Sequence, residues 1–166
     1  MGKFTLTHDI HCNVDTFWKT FFDKDFNVQL YKGPLGFPEF TVVDQTDGDT
    51  TITRKAAAQP KMEVPGPVAK LIGPGFRYTE EGTMSKSDRI WRWKMIPSTL
   101  ADKLHTSGVV RIEPVGADKV RRIADMNVEA KIFAVGGLIE SSAEKQIRDG
   151  WDKSAAFMNK WVAEHK

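Results

Sequence analysis

Trp91, Trp93 and Met95 occupy alternate positions of one short segment, and Ile90, Arg92, Lys94 and Ile96 fill the positions between them. In an extended chain this alternation puts both indoles and the thioether on one face and the cations on the other. Large flat side chains on an inward face can line a site for an apolar molecule, each indole N–H able to donate to a ligand oxygen; they can equally fill a core. His8 shares a face with Phe4, Leu6 and Ile10. It is a candidate polar anchor or general base, against the plainer role of a hydrogen-bonded core residue. His11 and Cys12 follow closely, but His8 and His11 point to opposite faces of a strand, while His105 falls in a loop and His165 at the terminus. The expected metal and cofactor content is therefore none.

Recognisable catalytic motifs are missing: the chain has no nucleophile elbow, phosphate-binding glycine loop or His-Glu-x-x-His. Gly136-Gly137 lacks the further glycines of a dinucleotide fingerprint and reads as a turn into a helix. Glu80 and Glu81 are neighbours on a strand and face apart, so they make no carboxylate dyad. Arg54, Arg92, Lys94, Arg111, Arg121 and Arg122 read as a solvated convex face, from which one side chain could reach a ligand carboxylate. An enzyme would have to rest on His8, Tyr78 or an arginine placed inside a pocket.

The elements that must position these groups follow from periodicity. Residues 3–11 alternate apolar and polar as a strand, and Asn13-Val14-Asp15 opens a helix carrying Phe17 with Phe21 and Trp18 with Phe22 at a spacing of four. Phe26, Leu30 and Tyr31 mark a second short helix ending near Gly33-Pro34. Three hairpins are expected next, over residues 39–45 and 50–57, 75–84 and 89–96, and 106–114 and 119–133, each joined by turn residues. From Leu138 to Glu164 the period changes: Ile139, Ala143, Ile147, Trp151, Ala155 and Met158 recur every three or four residues, with Gly150 among them. That is an amphipathic helix roughly 40 Å long.

The expected fold is α+β, a seven-stranded curved antiparallel sheet in the order β-α-α-β6-α, wrapped around the C-terminal helix as one domain over residues 1–166. A lone helix about 10 Å wide cannot fill the concavity of such a sheet. The remainder is either packed with side chains or is a cavity. Residues 60–74, with Pro60, Pro65, Pro67 and Pro74, form a connection too long and too apolar for a plain linker. Val64, Val68, Leu71 and Ile72 are the expected entrance loop, and Lys61 and Lys70 beside them make transient membrane contact a further expectation.

Composition narrows the classes. The chain has 166 residues, 40% hydrophobic and 28% charged, with Lys+Arg 24 against Asp+Glu 22 and a net charge of +2. That balance fits a globular domain and gives too little clustered basic charge for nucleic acid. One cysteine excludes an intramolecular disulfide, and no apolar run reaches the roughly 18 residues of a spanning helix. With no secretory or myristoylation signal at the start, the expected location is cytoplasmic. Five Trp and ten Phe are more aromatic mass than a minimal core requires.

The element order resembles the helix-grip architecture of the START-like (SRPBCC) superfamily, which includes birch-pollen-allergen-like proteins, lipid-transfer domains, polyketide cyclases and activators of the heat-shock chaperone. Locally, Leu35-Gly36-Phe37-Pro38, Val64-Pro65-Gly66-Pro67-Val68, Gly136-Gly137-Leu138-Ile139-Glu140 and Asp149-Gly150-Trp151 are similar to a small uncharacterised bacterial family within it. The resemblance implies an apolar pocket between sheet and long helix. The expected function is a non-enzymatic carrier of a hydrophobic small molecule: a lipid, a sterol-like or a polyketide-like compound. Trp91, Trp93, Met95, Met126, Val128, Ala130, His8 and Tyr78 would form its sheet side, and Ile147, Trp151, Ala155 and Met158 its helix side. Two alternatives stand beside it: an interaction module of the chaperone-activator type, and a cyclase- or hydrolase-like enzyme in the same pocket. Ligand identity and oligomeric state are not legible at this stage.

Overall fold

The computed structural model describes residues 2–166. The chain opens with β1 (Gly2–Ile10), α1 (Val14–Phe21) and α2 (Lys24–Lys32). Both helices start where a side chain can accept from an otherwise unbonded amide. Asn13 Oδ1 takes the Thr16 N–H at 2.8 Å, and Asp23 Oδ1 takes the Phe26 N–H at 2.9 Å. Then come β2 (Glu39–Asp47), β3 (Thr51–Gln59), α3 (Gly66–Ile72), β4 (Tyr78–Ser85), β5 (Trp91–Pro97), β6 (Leu104–Gly116), β7 (Lys119–Ala130) and α4 (Gly136–Glu164).

The strands form one antiparallel seven-stranded sheet in the order β1-β7-β6-β5-β4-β3-β2. It is the helix-grip arrangement: a curved sheet with the long C-terminal helix on its inner face. The registers align inward-facing residues into rows across the strands. One row runs Phe4, Met126, Gly108, Trp93, Gly82, Arg54; the next runs Gly2, Val128, Thr106, Met95, Glu80, Ala56. Arg92 and Lys94 lie on the opposite, exposed face.

Three details differ from the sequence reading. Residues 60–74 contain α3, a short helix whose Val68 is buried against Leu104, Ala130 and Ile139. Strand β7 stops at Ala130 instead of running to residue 133, because the chain turns there and Ala134 takes a φ of 69°. Gly136 is the first residue of α4 and not a loop residue: a Cβ on it would sit 2.5 Å from the Ala130 carbonyl oxygen. The helix therefore begins in backbone contact with the end of β7.

At 29 residues, α4 is about 43 Å long, and it packs along β1 and β7 rather than across the middle of the sheet. Its far end meets the first two helices, where Phe26 lies 5.6 Å from Phe157 and 5.4 Å from Trp161, ring centre to ring centre. Leu6, Ile10, Phe17, Trp18, Val110, Ala124 and Met158 are sealed into the core between these elements. The consequence is geometric: the covering helix sits over one edge of the concavity, and the strands from β3 to β6 are left with open space above part of their inner face.

Candidate functional site

The floor of that space depends on two strand glycines. A Cβ at Gly82 would lie 2.0 Å from Cζ2 of Trp91, and one at Gly108 would lie 2.7 Å from Nε1 of Trp93. Each indole lies flat across the neighbouring strand, in room that only glycine leaves. Two upright indoles would fill the hollow; two recumbent ones pave it. Trp91 is 1% exposed, with Phe21 and Phe22 edge-on at 5.5 Å and the Arg54 guanidinium 5.0 Å from its ring centre. Trp93 is only partly buried, on the cavity side.

Above this floor is a cavity of about 530 Å³. It is bordered by Trp91, Trp93, Met95, Val128, Ala130 and Tyr78 from the sheet, and by Ile147, Trp151 and Met158 from α4. Val64, Val68 and Ile72 close it from the α3 connection, and Leu30, Tyr31 and Leu35 from the α2 side. Gly150 lies on the wall, and a Cβ there would touch only Leu35, at 3.8 Å. Four residues expected at the site do not border it. Met126 and Ala155 are buried in the adjoining core, because α4 presses directly onto β1 and β7 at their level. Leu71 is on the outward side of α3 and is 40% exposed.

His8 is the fourth. It does face inward, but into the seam between β1 and α4, where its Nε2 is 2.6 Å from Asp152 Oδ1 and its Nδ1 is 3.2 Å from Nη2 of Arg122. A guanidinium only donates, so Nδ1 is the acceptor and the proton resides on Nε2 toward Asp152. His8 is a strut.

The arginines are the larger correction. Arg54 and Arg122, expected on the solvated face, are both buried on the inner one, Arg122 at 3% exposure. Arg122 donates through Nη1 to Ser154 Oγ at 3.0 Å and through Nη2 to the Trp151 carbonyl at 3.0 Å, with its guanidinium 4.4 Å from the Trp151 ring centre. Burial pushes its pKa down to about 9, against the opposing pull of Asp152. Its role is to hold the middle of α4 to β7. The signal was present in the sequence: residue 122 has the same parity as Ala124, Met126 and Val128, and residue 54 the same as Ala56 and Ala58.

At the other end, Arg54 donates through Nη1 to the Phe21 carbonyl at 2.8 Å, and its Nη2 is 3.8 Å from Glu80 Oε1. Glu80 and Tyr78, two residues apart on β4, both face the cavity, and Tyr31 of α2 stacks on Phe40 nearby at 4.0 Å. Burial raises the Glu80 carboxyl above the usual carboxylate range, with Arg54 opposing it. Burial also raises the Tyr31 and Tyr78 phenols, and the charge of Glu80 adds to both effects. Sequence reading noticed Glu80 only as one half of an unlikely dyad. Its shared parity with Tyr78, Gly82 and Met84 was the available clue. Cys12 is buried, with its thiol pushed up to about 11 by desolvation, so it is not a poised nucleophile.

A curved sheet grips the C-terminal helix with an apolar cavity between them, and that architecture is shared with solved structures that include a START superfamily protein. Solved structures agree at the level of fold. The protein TTHA0849 from Thermus thermophilus matches over 99% of both chains at a TM-score of 0.70 and 14% identity. A START superfamily protein from Mycobacterium smegmatis matches over 99% of both chains, at 0.58 and 12%. Norcoclaurine synthase from Thalictrum flavum, solved in complex with dopamine and hydroxybenzaldehyde, matches over 99% of this chain and 88% of its own, at 0.63 and 18%. None of the curated proteins matches by sequence. Residues 5–162 match the family described as protein of unknown function DUF2505, and the chain belongs to that family.

Proposed function

We propose that this protein is a carrier that binds a hydrophobic small molecule in the cavity between sheet and α4 and does no chemistry on it. The observation that supports this reading is the cavity itself. About 530 Å³ falls inside the range of sites for small organic ligands, and most of its wall is apolar. Each CH₂ removed from water contributes roughly 0.8 kcal/mol, so a lipid, sterol-like or polyketide-like molecule binds with few polar contacts. Trp93, Met95, Val128, Ile147 and Trp151 provide the contact surface in this reading. The α3 connection is the gate, since Val64, Val68 and Ile72 form its inner side. Met62 and Leu71 are exposed on the same connection beside Lys61 and Lys70, which fits transient contact with a membrane as ligand is exchanged. No helix among the described residues is long and apolar enough to span one. A cytoplasmic location is part of this proposal, as the sequence pattern led one to expect.

Native mass spectrometry of protein purified from its own host tests the reading. The expected result is a bound small molecule that solvent extraction removes. Protein that is consistently empty, and that also takes up no apolar probe, overturns it. A second reading, an enzyme in the same cavity, is favoured by the half-buried Glu80 beside Tyr78, a group able to exchange a proton with a bound molecule.

A further inference from the structure

The polar side chains on the cavity wall are not neutral as to what they admit. Among the described residues, each cation on the wall has a partner, the two lysines in exposed ion pairs. Lys61 pairs with Glu63 at 3.0 Å and Lys153 with Asp149 at 2.9 Å. Arg54 is held by the Phe21 carbonyl and by Glu80, and the rings of Phe21, Phe22 and Trp91 cover its faces. Arg122 directs both terminal nitrogens at His8, Trp151 and Ser154, at the α4 end of the cavity and away from Glu80, and its Nε is buried without a partner. Among the described residues, the guanidinium beside Glu80 is that of Arg54, and a carboxylate entering there finds it already engaged.

Three other polar groups on the wall are in the opposite condition. Among the described residues, no group hydrogen-bonds to the phenol of Tyr31, the phenol of Tyr78 or the carboxyl of Glu80, whose one polar contact is the 3.8 Å approach of Arg54. All three border the cavity, and the Glu80 side chain keeps 17% exposure. These three half-buried groups face an apolar cavity with hydrogen-bonding capacity that no described residue takes up, so an incoming molecule that bonds to them is favoured over one that covers them, and one that adds a second negative charge beside Glu80 is disfavoured.

Building on the carrier reading, we propose that the cavity is selective for an uncharged, hydroxyl-bearing amphiphile, whose hydroxyl is received by Glu80, Tyr78 and Tyr31, and that it discriminates against a carboxylate on the same apolar body. The apolar body lies on the Trp93 indole and against Met95 and Ile147. Glu80 accepts the ligand's hydroxyl proton, and a phenol donates to the hydroxyl oxygen. Free fatty acids are thereby poor ligands, and hydroxylated ring systems or fatty alcohols are good ones.

The test uses three probes of one shape, 1-hydroxypyrene, pyrene and pyrene-1-carboxylate, titrated into the full chain at pH 7. Binding is followed by energy transfer from tryptophan and by calorimetry. Hydroxypyrene is expected to bind about tenfold or more tightly than the carboxylate, and severalfold more tightly than pyrene. Glu80→Gln and Tyr78→Phe should each reduce the hydroxypyrene-to-pyrene preference by roughly threefold, read as the ratio of the two affinities in the same variant so that any general change in cavity binding cancels. A carboxylate that binds as well as the hydroxyl overturns the proposal in the wild-type protein alone, whatever the variants do. So does a preference that both substitutions leave intact. If pyrene binds but the hydroxyl confers nothing, only this selectivity is lost; if none of the three probes binds, the carrier reading falls with it.

Discussion

The two strand glycines make the geometric reasoning directly testable, because they differ in what their tryptophans can do. Gly82→Ala places a methyl 2.0 Å from Cζ2 of Trp91, so the indole must move by roughly 1.5 Å to reach ordinary carbon contact. Trp91 has nowhere to go: it is 1% exposed and wedged under Phe21, Phe22 and Arg54. Overpacking of this kind costs about 1–3 kcal/mol. Taking about 2 kcal/mol, a chain of this length should lose roughly 4–8 °C in Tm. Gly108→Ala makes a milder overlap, 2.7 Å to Nε1 of Trp93, and Trp93 borders empty space into which it can lift. That substitution should leave Tm within about 2 °C of wild type while shrinking the cavity and weakening pyrene binding severalfold. Calorimetric unfolding and probe titration on both variants measure the contrast. If Gly82→Ala unfolds with the wild type, or if Gly108→Ala destabilises as much as Gly82→Ala and binds pyrene normally, the paved-floor account is wrong.

Three further outcomes follow from the same structure. Glu80 has a folded-state pKa raised by burial, so the unfolded chain loses this proton first, and stability from this group falls as pH rises above the ordinary carboxylate value of 4.5. Glu80→Gln should therefore gain on the wild type in Tm between pH 4 and pH 7; a constant difference across that interval would refute it. Removing the Arg122 guanidinium, as in Arg122→Leu, detaches the Trp151 carbonyl and Ser154 from β7 and should cost about 2–4 kcal/mol, visible as faster amide exchange in the middle of α4. The Cys12 thiol, buried and raised to about 11, should resist a disulfide reagent at pH 8 in the native state and react at once in denaturant; rapid native labelling would show that this core opens.

Local pattern made much of the architecture legible. Alternation in residues 3–11 and 119–133, the turn residues between strands and the three-to-four spacing from Ile139 to Val162 are properties of consecutive residues, and each produced the element it implied, the last strand ending three residues early. The short helix α3 was missed because Pro65 and Pro67 read as loop residues, although proline tolerates a helix's first turn. The buried arginines were missed for a different reason. A charged side chain on a strand reads as solvent-facing, whereas the strand's two-residue period turns residues 54 and 122 inward.

The sequence by itself determined the seven strands, the helices α1, α2 and α4, their order and which side chains share a face, because those depend on neighbours along the chain. Only the tertiary structure decided that α4 lies over β1 and β7 instead of the centre of the sheet, and that Gly82 and Gly108 let two indoles lie flat. It alone brought Tyr31 of α2 to Glu80 and Tyr78 of β4, and drew His8 out of the cavity into a contact with Asp152, 144 residues further along the chain. Those outcomes depend on how surfaces far apart in sequence pack once the sheet has curved, which no local period encodes.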